Sequence, residues 1–322
     1  MEELIQKKFP ERPKIVFMGT PEFAVPALKA LLENGHDVLA VVTQPDRPRG
    51  RGKKMAQSPV KQAATVYGIE VLQPENVSDR QFCQVIRDKA PDLLVVVAFG
   101  QILKNEMLGV SSWGALNIHA SLLPQYRGAA PIQWAILNNE TKTGLTAMWM
   151  NEGLDSGPIL LQEEVSILPD ETAGQLHDRL SVLTGNFLIR TLADLAKNRI
   201  QERPQDHKAS TYAPKIDRGM SQIKWDKPAQ TISALIRAFD PWPGAVTKLR
   251  GKDIKLFSSR VVDEEQIGLP GRVKGHEGDG LEVETGKGIV KIGELQIPGR
   301  KRLPVKDFLM GFPLKNGTLF GR

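Results

Sequence analysis

Short apolar runs alternate with longer amphipathic stretches through the first two hundred residues. Six of these runs predict strands, at residues 14–19, 39–43, 69–72, 92–98, 115–119 and 145–150. The run at 92–98, DLLVVVA, is nearly all apolar, as expected for a strand that is covered on both faces. Strands separated by helical stretches favour right-handed βαβ units. The pattern therefore predicts an α/β fold with a Rossmann-like, mainly parallel sheet that has helices on both faces.

Two stretches in this part of the chain predict helices. One covers residues 24–34, and a longer one follows Asp170, where either Asp170 or Thr172 could cap its start. Apolar side chains recur at helical spacing in the longer stretch, at Leu176, Leu180, Leu183, Phe187 and Leu188.

The pattern changes after residue 203. Residues 204–220 are polar and aperiodic, which is typical of a linker. A helix is predicted at 228–239, ended by DPWPG, and the short runs AVTKL, KDIKLF, GRVKG, GLEVET and GIVKIGELQI follow. The TGKG sequence between the last two runs suggests a hairpin. We therefore predict a catalytic domain at 1–203, a linker at 204–220, and a smaller OB-fold-like β-barrel at 221–322.

Composition limits the class of protein. The chain has 322 residues, of which 41% are hydrophobic and 25% charged, as in a soluble protein with its own core. Cys83 is the only cysteine, which excludes an internal disulfide framework. No apolar run reaches the roughly 18 residues that cross a bilayer, and the first twelve residues do not resemble a signal peptide. We expect a cytoplasmic protein without a membrane partner, and a monomer by default.

The positive charge is concentrated at one end. The net charge is +6, and the excess lies after residue 219, where 18 Lys and Arg face 12 Asp and Glu. Such asymmetry indicates nucleic acid or another anionic surface as a partner. A basic soluble domain without such a partner is an equally open alternative.

Candidate chemistry begins with the sequence LNIHASLLP. Asn117 and His119 share one face of a predicted strand, because side chains alternate along a strand. An amide N–H can stabilise an oxyanion, and a histidine can exchange protons near neutral pH. Asp155, which lies between two glycines in GLDSG, could orient His119 or steer a proton. A histidine satisfied at the edge of the core and an ordinary turn aspartate are the alternatives.

A cationic loop follows the second predicted strand, with the sequence TQPDRPRGRGKKM. Its charges suit the phosphates of a nucleic-acid backbone, although a solvated surface loop is the alternative. The candidate RNA-binding residues are Arg47, Arg49, Arg51, Lys53 and Lys54.

Several other motifs are absent from the sequence. It lacks the G-x-G-x-x-G of dinucleotide binders, a P-loop, a nucleophile elbow, and histidines at metal-ligand spacing. We therefore expect neither a nucleotide cofactor nor a metal.

The motif NIHASLLP, together with the downstream GLDSG, resembles the folate-dependent formyltransferases, whose catalytic trio is Asn, His and Asp. MGTPEFAVPAL, TQPDRPRGRGKK, SLLPQYRGAAPIQWAI, TYAPKI and IRAFDPWPGA are similar to the methionyl-tRNA formyltransferases within that family. The resemblance spans nearly the whole chain and thins after about Lys255. Members of the family usually have Gly where Ala120 stands.

The resemblance implies that Asn117, His119 and Asp155 are catalytic. It also implies 10-formyltetrahydrofolate as the formyl donor, initiator methionyl-tRNA as the acceptor, and Arg51 as the main loop contact to the tRNA acceptor end. Two alternatives stay open, a formyltransferase for glycinamide ribonucleotide or an amino sugar, and a non-catalytic RNA-binding protein. The folate-binding residues that the resemblance implies are Ser121, Leu122, Leu123 and Pro124.

Overall fold

A computed structural model of the protein describes residues 8–49, 54–277 and 280–321. By its contacts the chain divides into two compact units. The first unit contains the chain up to Gly128 together with Gly144–Val165 and His177–Tyr212, and the second contains Ala129–Thr143, Ser166–Leu176 and Ala213 onward. The change from Tyr212 to Ala213 falls inside the predicted linker. The predicted domain bounds stay a prediction.

A seven-stranded sheet organises the first unit, in the order β10-β9-β7-β6-β1-β2-β5. Strands β1, β2, β5, β6 and β7 are parallel, while β9 pairs antiparallel with β7. A two-stranded ribbon, β3–β4, and the two-residue strand β8 lie outside this sheet. The strands are β1 (Ile15–Gly19), β2 (Val38–Val42), β3 (Arg47–Arg49), β4 (Lys54–Ala56), β5 (Val71–Leu72), β6 (Leu93–Val97), β7 (Ala115–His119), β8 (Arg127–Gly128), β9 (Lys142–Trp149) and β10 (Ile159–Ser166).

Helices fill the connections between these strands, and one further helix follows the last strand. They are α1 (Val25–Glu33), α2 (Pro59–Val66), α3 (Arg80–Asp88), α4 (Asn105–Leu108), α5 (Pro131–Leu137) and α6 (Ala173–Ala196), with a 3₁₀ turn at Glu22–Ala24. Thr172, one of the two predicted caps, starts α6. Its Oγ1 accepts a hydrogen bond from Gln175 N–H, and its own N–H donates to Gln175 Oε1 at 2.9 Å, which forms a capping box.

The core of the first unit follows from strand alternation. Val16 and Met18 on β1, with Leu94 and Val96 on β6, belong to one buried cluster. Cys83 on α3 belongs to the same cluster and is a free thiol. The buried sheet and its helices confirm the predicted α/β class, in which apolar strands are covered by amphipathic helices.

The second unit contains the predicted antiparallel strands. One sheet runs β12-β13-β16-β15-β14, with β17 paired to β16. Every pair in it is antiparallel, and the 285–288 turn joins β15 to β16 as a hairpin. A 3₁₀ turn at His207–Ala209 closes the part of the chain assigned to the first unit. The elements that follow are β11 (Tyr212–Ala213), α7 (Ala229–Ala238), β12 (Ala245–Leu249), β13 (Lys252–Asp263), β14 (Val273–Glu277), β15 (Gly280–Glu284), β16 (Ile289–Gln296), β17 (Leu303–Pro304) and α8 (Val305–Gly311), with a 3₁₀ turn at Arg218–Ser221.

The end of the chain connects the two edges of this sheet. Phe320 forms a bridge to Leu249 at the end of β12, and Leu319 forms one to Arg272 next to β14. Both edge strands are therefore partnered, as in a small barrel. This architecture confirms the predicted fold class of the second part of the chain.

No helix in the part of the chain that the structure describes combines the length and apolar character needed to span a membrane.

Candidate active site

Two polar side chains interrupt the otherwise apolar strand β7. Asn117 and His119 are 8% and 7% exposed, so both are almost fully removed from solvent. They lie on the same face of the strand, because side chains two residues apart point the same way. Ile118 between them points to the opposite face and is buried in the core. Since buried polar groups need hydrogen-bond partners, these two require partners near the end of β7.

Asp155 is held in a tight turn between β9 and β10. Its backbone φ is +46°, a left-handed conformation that costs energy for a residue other than glycine. Its Oδ2 accepts a hydrogen bond from the Gly128 N–H at 2.8 Å, which fixes the carboxylate. Gly157 permits the turn, because a Cβ atom there would lie 1.8 Å from the Trp149 carbonyl oxygen. The second glycine of GLDSG, Gly157, is therefore required because the Trp149 backbone lies too close for any side chain.

The structure brings Asn117, His119 and Asp155 together. Asn117 Nδ2 donates to Asp155 Oδ1 at 3.5 Å, and His119 Nδ1 lies 3.7 Å from Asp155 Oδ2. The Asp155 side chain is 13% exposed, so the cluster is sheltered but still reachable by small groups. The sequence predicted this grouping, because the strand places two of the residues and the glycine-flanked turn supplies the third.

The second nitrogen of His119 is engaged by the backbone. His119 Nε2 lies 2.9 Å from the carbonyl oxygen of Tyr126, whose φ of +60° is also left-handed. A carbonyl oxygen only accepts hydrogen bonds, so Nε2 carries a hydrogen and donates it. Nδ1 is therefore the nitrogen that faces the Asp155 carboxylate and is available for proton exchange.

A buried glutamine supports the Asp155 turn. Gln205 is 6% exposed, and its Nε2 donates to the Asp155 and Gly157 carbonyl oxygens at 2.9 and 2.8 Å. Its Oε1 accepts two hydrogen bonds from Arg127, from Nε at 3.0 Å and from Nη2 at 2.7 Å. Arg127 Nη1 also donates to His207 Nδ1. Gln205 therefore uses both ends of its amide to connect three segments beneath the site.

Sequence reasoning missed these supporting residues. Arg127 lies in the quoted motif SLLPQYRGAAPIQWAI, so the motif is the signal by which it could have been found. Gln205 lies in the polar stretch whose composition predicts a linker, and no periodicity marks it as buried.

The segment proposed for folate is held mainly by internal contacts. Ser121 is fully buried, and its Oγ donates to the Gln125 carbonyl oxygen at 2.7 Å. Leu123 packs in a small buried cluster with Met148 and Ile159. Leu122 and Pro124 are the half-buried members of the predicted set. A ligand at this segment would therefore meet Leu122, Pro124 and the backbone before it met the Ser121 hydroxyl.

Two further side chains fix the backbone of this segment. Thr146 Oγ1 donates to the Ser121 carbonyl oxygen at 2.6 Å and accepts from the Leu123 N–H at 3.1 Å. Gln162 Nε2 donates to the Leu123 carbonyl oxygen at 2.9 Å. Thr146 pairs with His119 in the β7–β9 register, so the same strand pair supports the histidine and the following loop. Ala120 is accommodated there without a positive φ and is 9% exposed.

The cationic loop forms an antiparallel ribbon on either side of its tip. Arg47 pairs with Ala56, and Arg49 pairs with Lys54 through the backbone. The Arg47 and Lys54 side chains are exposed. Arg51 and Lys53 lie outside the described residues.

Within the described ranges 8–49, 54–277 and 280–321, no three His, Cys, Asp or Glu residues are arranged to hold a metal ion.

Both parts of the chain match known protein families. Residues 13–192 match the family described as Formyl transferase, and residues 215–313 match Formyl transferase, C-terminal domain. A protein named methionyl-tRNA formyltransferase from Moorella thermoacetica is 46% identical over 308 residues, covering 96% of this chain and 99% of that protein. A protein of the same name from Geobacter metallireducens is 48% identical over 307 residues, covering 95% and 98%.

A solved structure with the same fold is an N-formyltransferase from Helicobacter canadensis in complex with folinic acid and dTDP-3-aminofucose. Its TM-score is 0.65 at 22% identity, covering 87% of this chain and 98% of that chain. At this identity the likeness concerns the fold alone.

Proposed function

Because this chain belongs to the formyl transferase family and, within it, to the methionyl-tRNA formyltransferases, we propose that it transfers a formyl group from 10-formyltetrahydrofolate to the amino group of initiator methionyl-tRNA. The observation that carries this proposal is the cluster of Asn117, His119 and Asp155, which provides an amide donor, an imidazole and a carboxylate at one strand end. Full-length likeness to two proteins of that name supports the acceptor. Because ribosomes consume the product, we propose the cytoplasm as its compartment.

The proposed reaction begins with attack of the neutral methionyl amine on the formyl carbon. The formyl oxygen then takes up negative charge, and the donors suited to stabilise it are the Asn117 amide and, when the His119 ring is doubly protonated, its Nδ1–H. Loss of one such donor costs roughly 2.7–4 kcal/mol of transition-state stabilisation in other enzymes. The burial of both side chains supports this role, because a sheltered site strengthens such hydrogen bonds.

The second step moves one proton. The amine nitrogen becomes positively charged on attack and must lose a proton, while N10 of the folate must gain one as its bond to the formyl carbon breaks. Asp155 is the base nearest to His119 Nδ1, and its Oδ1 receives only a long hydrogen bond from Asn117. We propose that Asp155 takes up the amine proton, directly or through water, and that His119 participates in its delivery to N10.

The acceptor is proposed to be recognised by positive charge. The exposed Arg47 and Lys54 on the ribbon, with Arg49, Arg51 and Lys53, would contact phosphates of the tRNA. The stretch after residue 219, where 18 Lys and Arg face 12 Asp and Glu, would contribute further phosphate contacts.

The test is formyl incorporation from 10-formyltetrahydrofolate into charged initiator tRNA, with His119→Ala as the control. Transfer by the wild type that is lost in the variant and weak on elongator methionyl-tRNA supports the proposal. Transfer to glycinamide ribonucleotide or to an amino sugar, but not to tRNA, would keep the chemistry and overturn the acceptor. Salt-sensitive tRNA binding without transfer would favour a non-catalytic RNA-binding protein.

A further inference from the structure

The cationic loop has a closed base. We use the term neck for Thr43, Asp46, Ser58, Lys61 and Gln73, the residues that join the two ends of segment 43–58. Thr43 Oγ1 lies 2.7 Å from Ser58 Oγ, so the first and last residues of the segment are hydrogen-bonded. Ser58 is also the N-cap of α2, where its Oγ accepts the Lys61 N–H at 3.0 Å. One end of the segment is therefore fixed to a helix and the other to the end of β2.

A second connection crosses the neck. Lys61 Nζ donates to Asp46 Oδ2 and to Gln73 Oε1, each at 2.7 Å. Gln73 Nε2 donates to Asp46 Oδ1 at 2.8 Å and to the Gln44 carbonyl oxygen at 2.9 Å. Both oxygens of Asp46 are thus engaged by side chains from two other segments. Three groups that each bond to the other two hold a more defined geometry than a single ion pair.

The ribbon begins directly beyond this neck. Arg47, the residue after Asp46, pairs with Ala56 at the start of the β3–β4 ladder. The positions of Arg47 and Lys54 therefore depend on the angle at which Asp46 and Ser58 direct the two strands. A two-stranded ribbon alone is at best marginally stable in water, so its direction must be set by its base.

Asp46 is the only acidic residue between positions 43 and 58. The hydrogen bond from Lys61, and secondly that from Gln73, hold the pKa of Asp46 below its ordinary value. The carboxylate therefore stays charged and bound to the neck in neutral solution. By net charge alone, a carboxylate in a segment that binds phosphates would weaken binding, because like charges repel.

We propose that Asp46 is a positioning residue for the tRNA substrate, which acts through Lys61 and Gln73 to fix the direction of the cationic ribbon. The proposal rests on the function proposed above, because it takes the ribbon to contact tRNA. It assigns to the one acid of the segment a favourable effect on tRNA use, in spite of its charge.

The variant Asp46→Asn distinguishes position from charge. Asparagine keeps the shape and can still accept from Gln73, but it loses the ion pair with Lys61 and adds one net positive charge. If charge alone matters, the variant binds tRNA more tightly. If the neck positions the ribbon, KM for charged tRNA rises by about tenfold, as expected for loss of a charge-assisted hydrogen bond, while KM for the formyl donor stays unchanged.

The matched control is Glu70→Gln. Glu70 forms an ion pair with Lys89 in the same unit, is half exposed, and lies outside the neck. This variant makes the same change in net charge and should leave both KM values unchanged. If Asp46→Asn behaves like Glu70→Gln, lowers KM for tRNA, or raises the two KM values equally, the positioning role is overturned.

Salt dependence gives a second readout. A misdirected ribbon neutralises fewer phosphates, so the slope of log affinity against log salt becomes shallower in Asp46→Asn, whereas an added free charge makes it steeper. Lys61→Met should raise KM for tRNA in the same direction, and the double variant should add little to either single change. Fully additive effects would show that the two residues do not act together. A wild type that fails to formylate tRNA would instead overturn the proposed function.

Discussion

His119 Nε2 lies 2.9 Å from the carbonyl oxygen of Tyr126, and this contact determines which face of the imidazole can take part in chemistry. Because the carbonyl oxygen must accept, Nε2 is a donor in the resting site. Nδ1 is directed to Asp155 at 3.7 Å. The backbone thus selects the orientation of the ring and leaves one nitrogen available.

Replacement of His119 by its two amide analogues tests this assignment. Asparagine places a polar group near the Nδ1 position, and glutamine places one near the Nε2 position. Both variants should lower kcat, by about 10²–10⁴-fold for a lost acid–base group, but His119→Asn should keep more activity than His119→Gln. Single-turnover formyl transfer is the measurement. The reverse order of activities would place the chemistry at Nε2.

Asp155→Asn should separate the charge of the carboxylate from its place in the turn. Its carbonyl oxygen can still accept the Gly128 N–H, so we expect the variant to fold. Proton uptake from the amine is lost, and kcat should fall by about 10²–10⁴-fold. Calorimetric titration with the folate donor should give an unchanged Kd. Loss of donor binding in step with turnover would argue against a proton-transfer role.

Gln205→Met removes the support beneath the Asp155 turn without a large change in volume. Two buried carbonyl oxygens lose their donor, which costs roughly 1–3 kcal/mol each at most sites, and Arg127 loses its acceptor. Because a small displacement of a reacting group is costly, kcat should fall by about tenfold to a hundredfold. The KM values should change little.

The control for this variant is Gln84→Met, at a glutamine whose only hydrogen bonds described are to Asp88 and Arg87 on the exposed face of α3. Steady-state kinetics and thermal melts of both variants are needed. An unchanged kcat in Gln205→Met would show that the turn holds its geometry without the glutamine.

Gly157→Ala should damage both stability and turnover. The added methyl would lie 1.8 Å from a backbone oxygen, which cannot move aside as a flexible side chain would. Overpacking of this kind costs about 1–3 kcal/mol or more. Gly311→Ala is the control, because nothing lies within 4 Å of a Cβ there. Urea unfolding and kcat should be affected only in the first variant, and equal effects would contradict the steric argument.

Glu284 should make the second unit sensitive to acid. This carboxylate is 2% exposed and accepts hydrogen bonds from Arg272 and from the Leu269 N–H. The hydrogen bond from Arg272 holds the pKa of Glu284 below its ordinary value of 4.5. A lowered pKa in the folded state means that the charged form favours folding. The contribution is therefore complete above pH 4.5 and is lost as the pH falls through the folded-state pKa.

The variant Glu284→Gln should reduce the free energy of unfolding by roughly 1.5–3 kcal/mol at neutral pH, since charge-assisted hydrogen bonds are lost. The difference from the wild type should shrink in acid. Glu265→Gln serves as the control, because that residue is 81% exposed in its ion pair with Lys287 and such pairs contribute about 0–1 kcal/mol. A difference that persists unchanged at low pH would refute the assignment.

The alternation of side chains along a β-strand explains why two of the candidate catalytic residues could be predicted. A period of two places Asn117 and His119 on one face whatever the details of the fold. Asp155 could be predicted less directly, because its flanking glycines indicated a sharp turn but not its direction. The Tyr126 carbonyl oxygen that binds His119 is a backbone group, so the pattern of side chains could not predict this contact.

Elements with mixed polarity were the ones that the pattern missed. Strand β10 has the sequence ILLQEEVS, in which adjacent polar residues break the alternation, and it was not predicted. Strand β13 extends to Asp263, although only its KDIKLF portion reads as a strand. Strand β10 pairs with β9, the strand before it, and β13 pairs with the more distant β16. Such tertiary contacts override local preference.

The closed neck of segment 43–58 also bears on how this loop can change over evolutionary time. Its ends are pinned to β2 and α2, so residues beyond the neck can be lengthened, shortened or exchanged without disturbing the sheet, because loop closure depends only weakly on length. The residues beyond the neck could therefore be replaced as a unit by those of a related protein. If the ribbon contacts tRNA as proposed, transplanting the corresponding segment of a relative onto an intact neck would change the recognition of the acceptor and leave the formyl-transfer site unaltered.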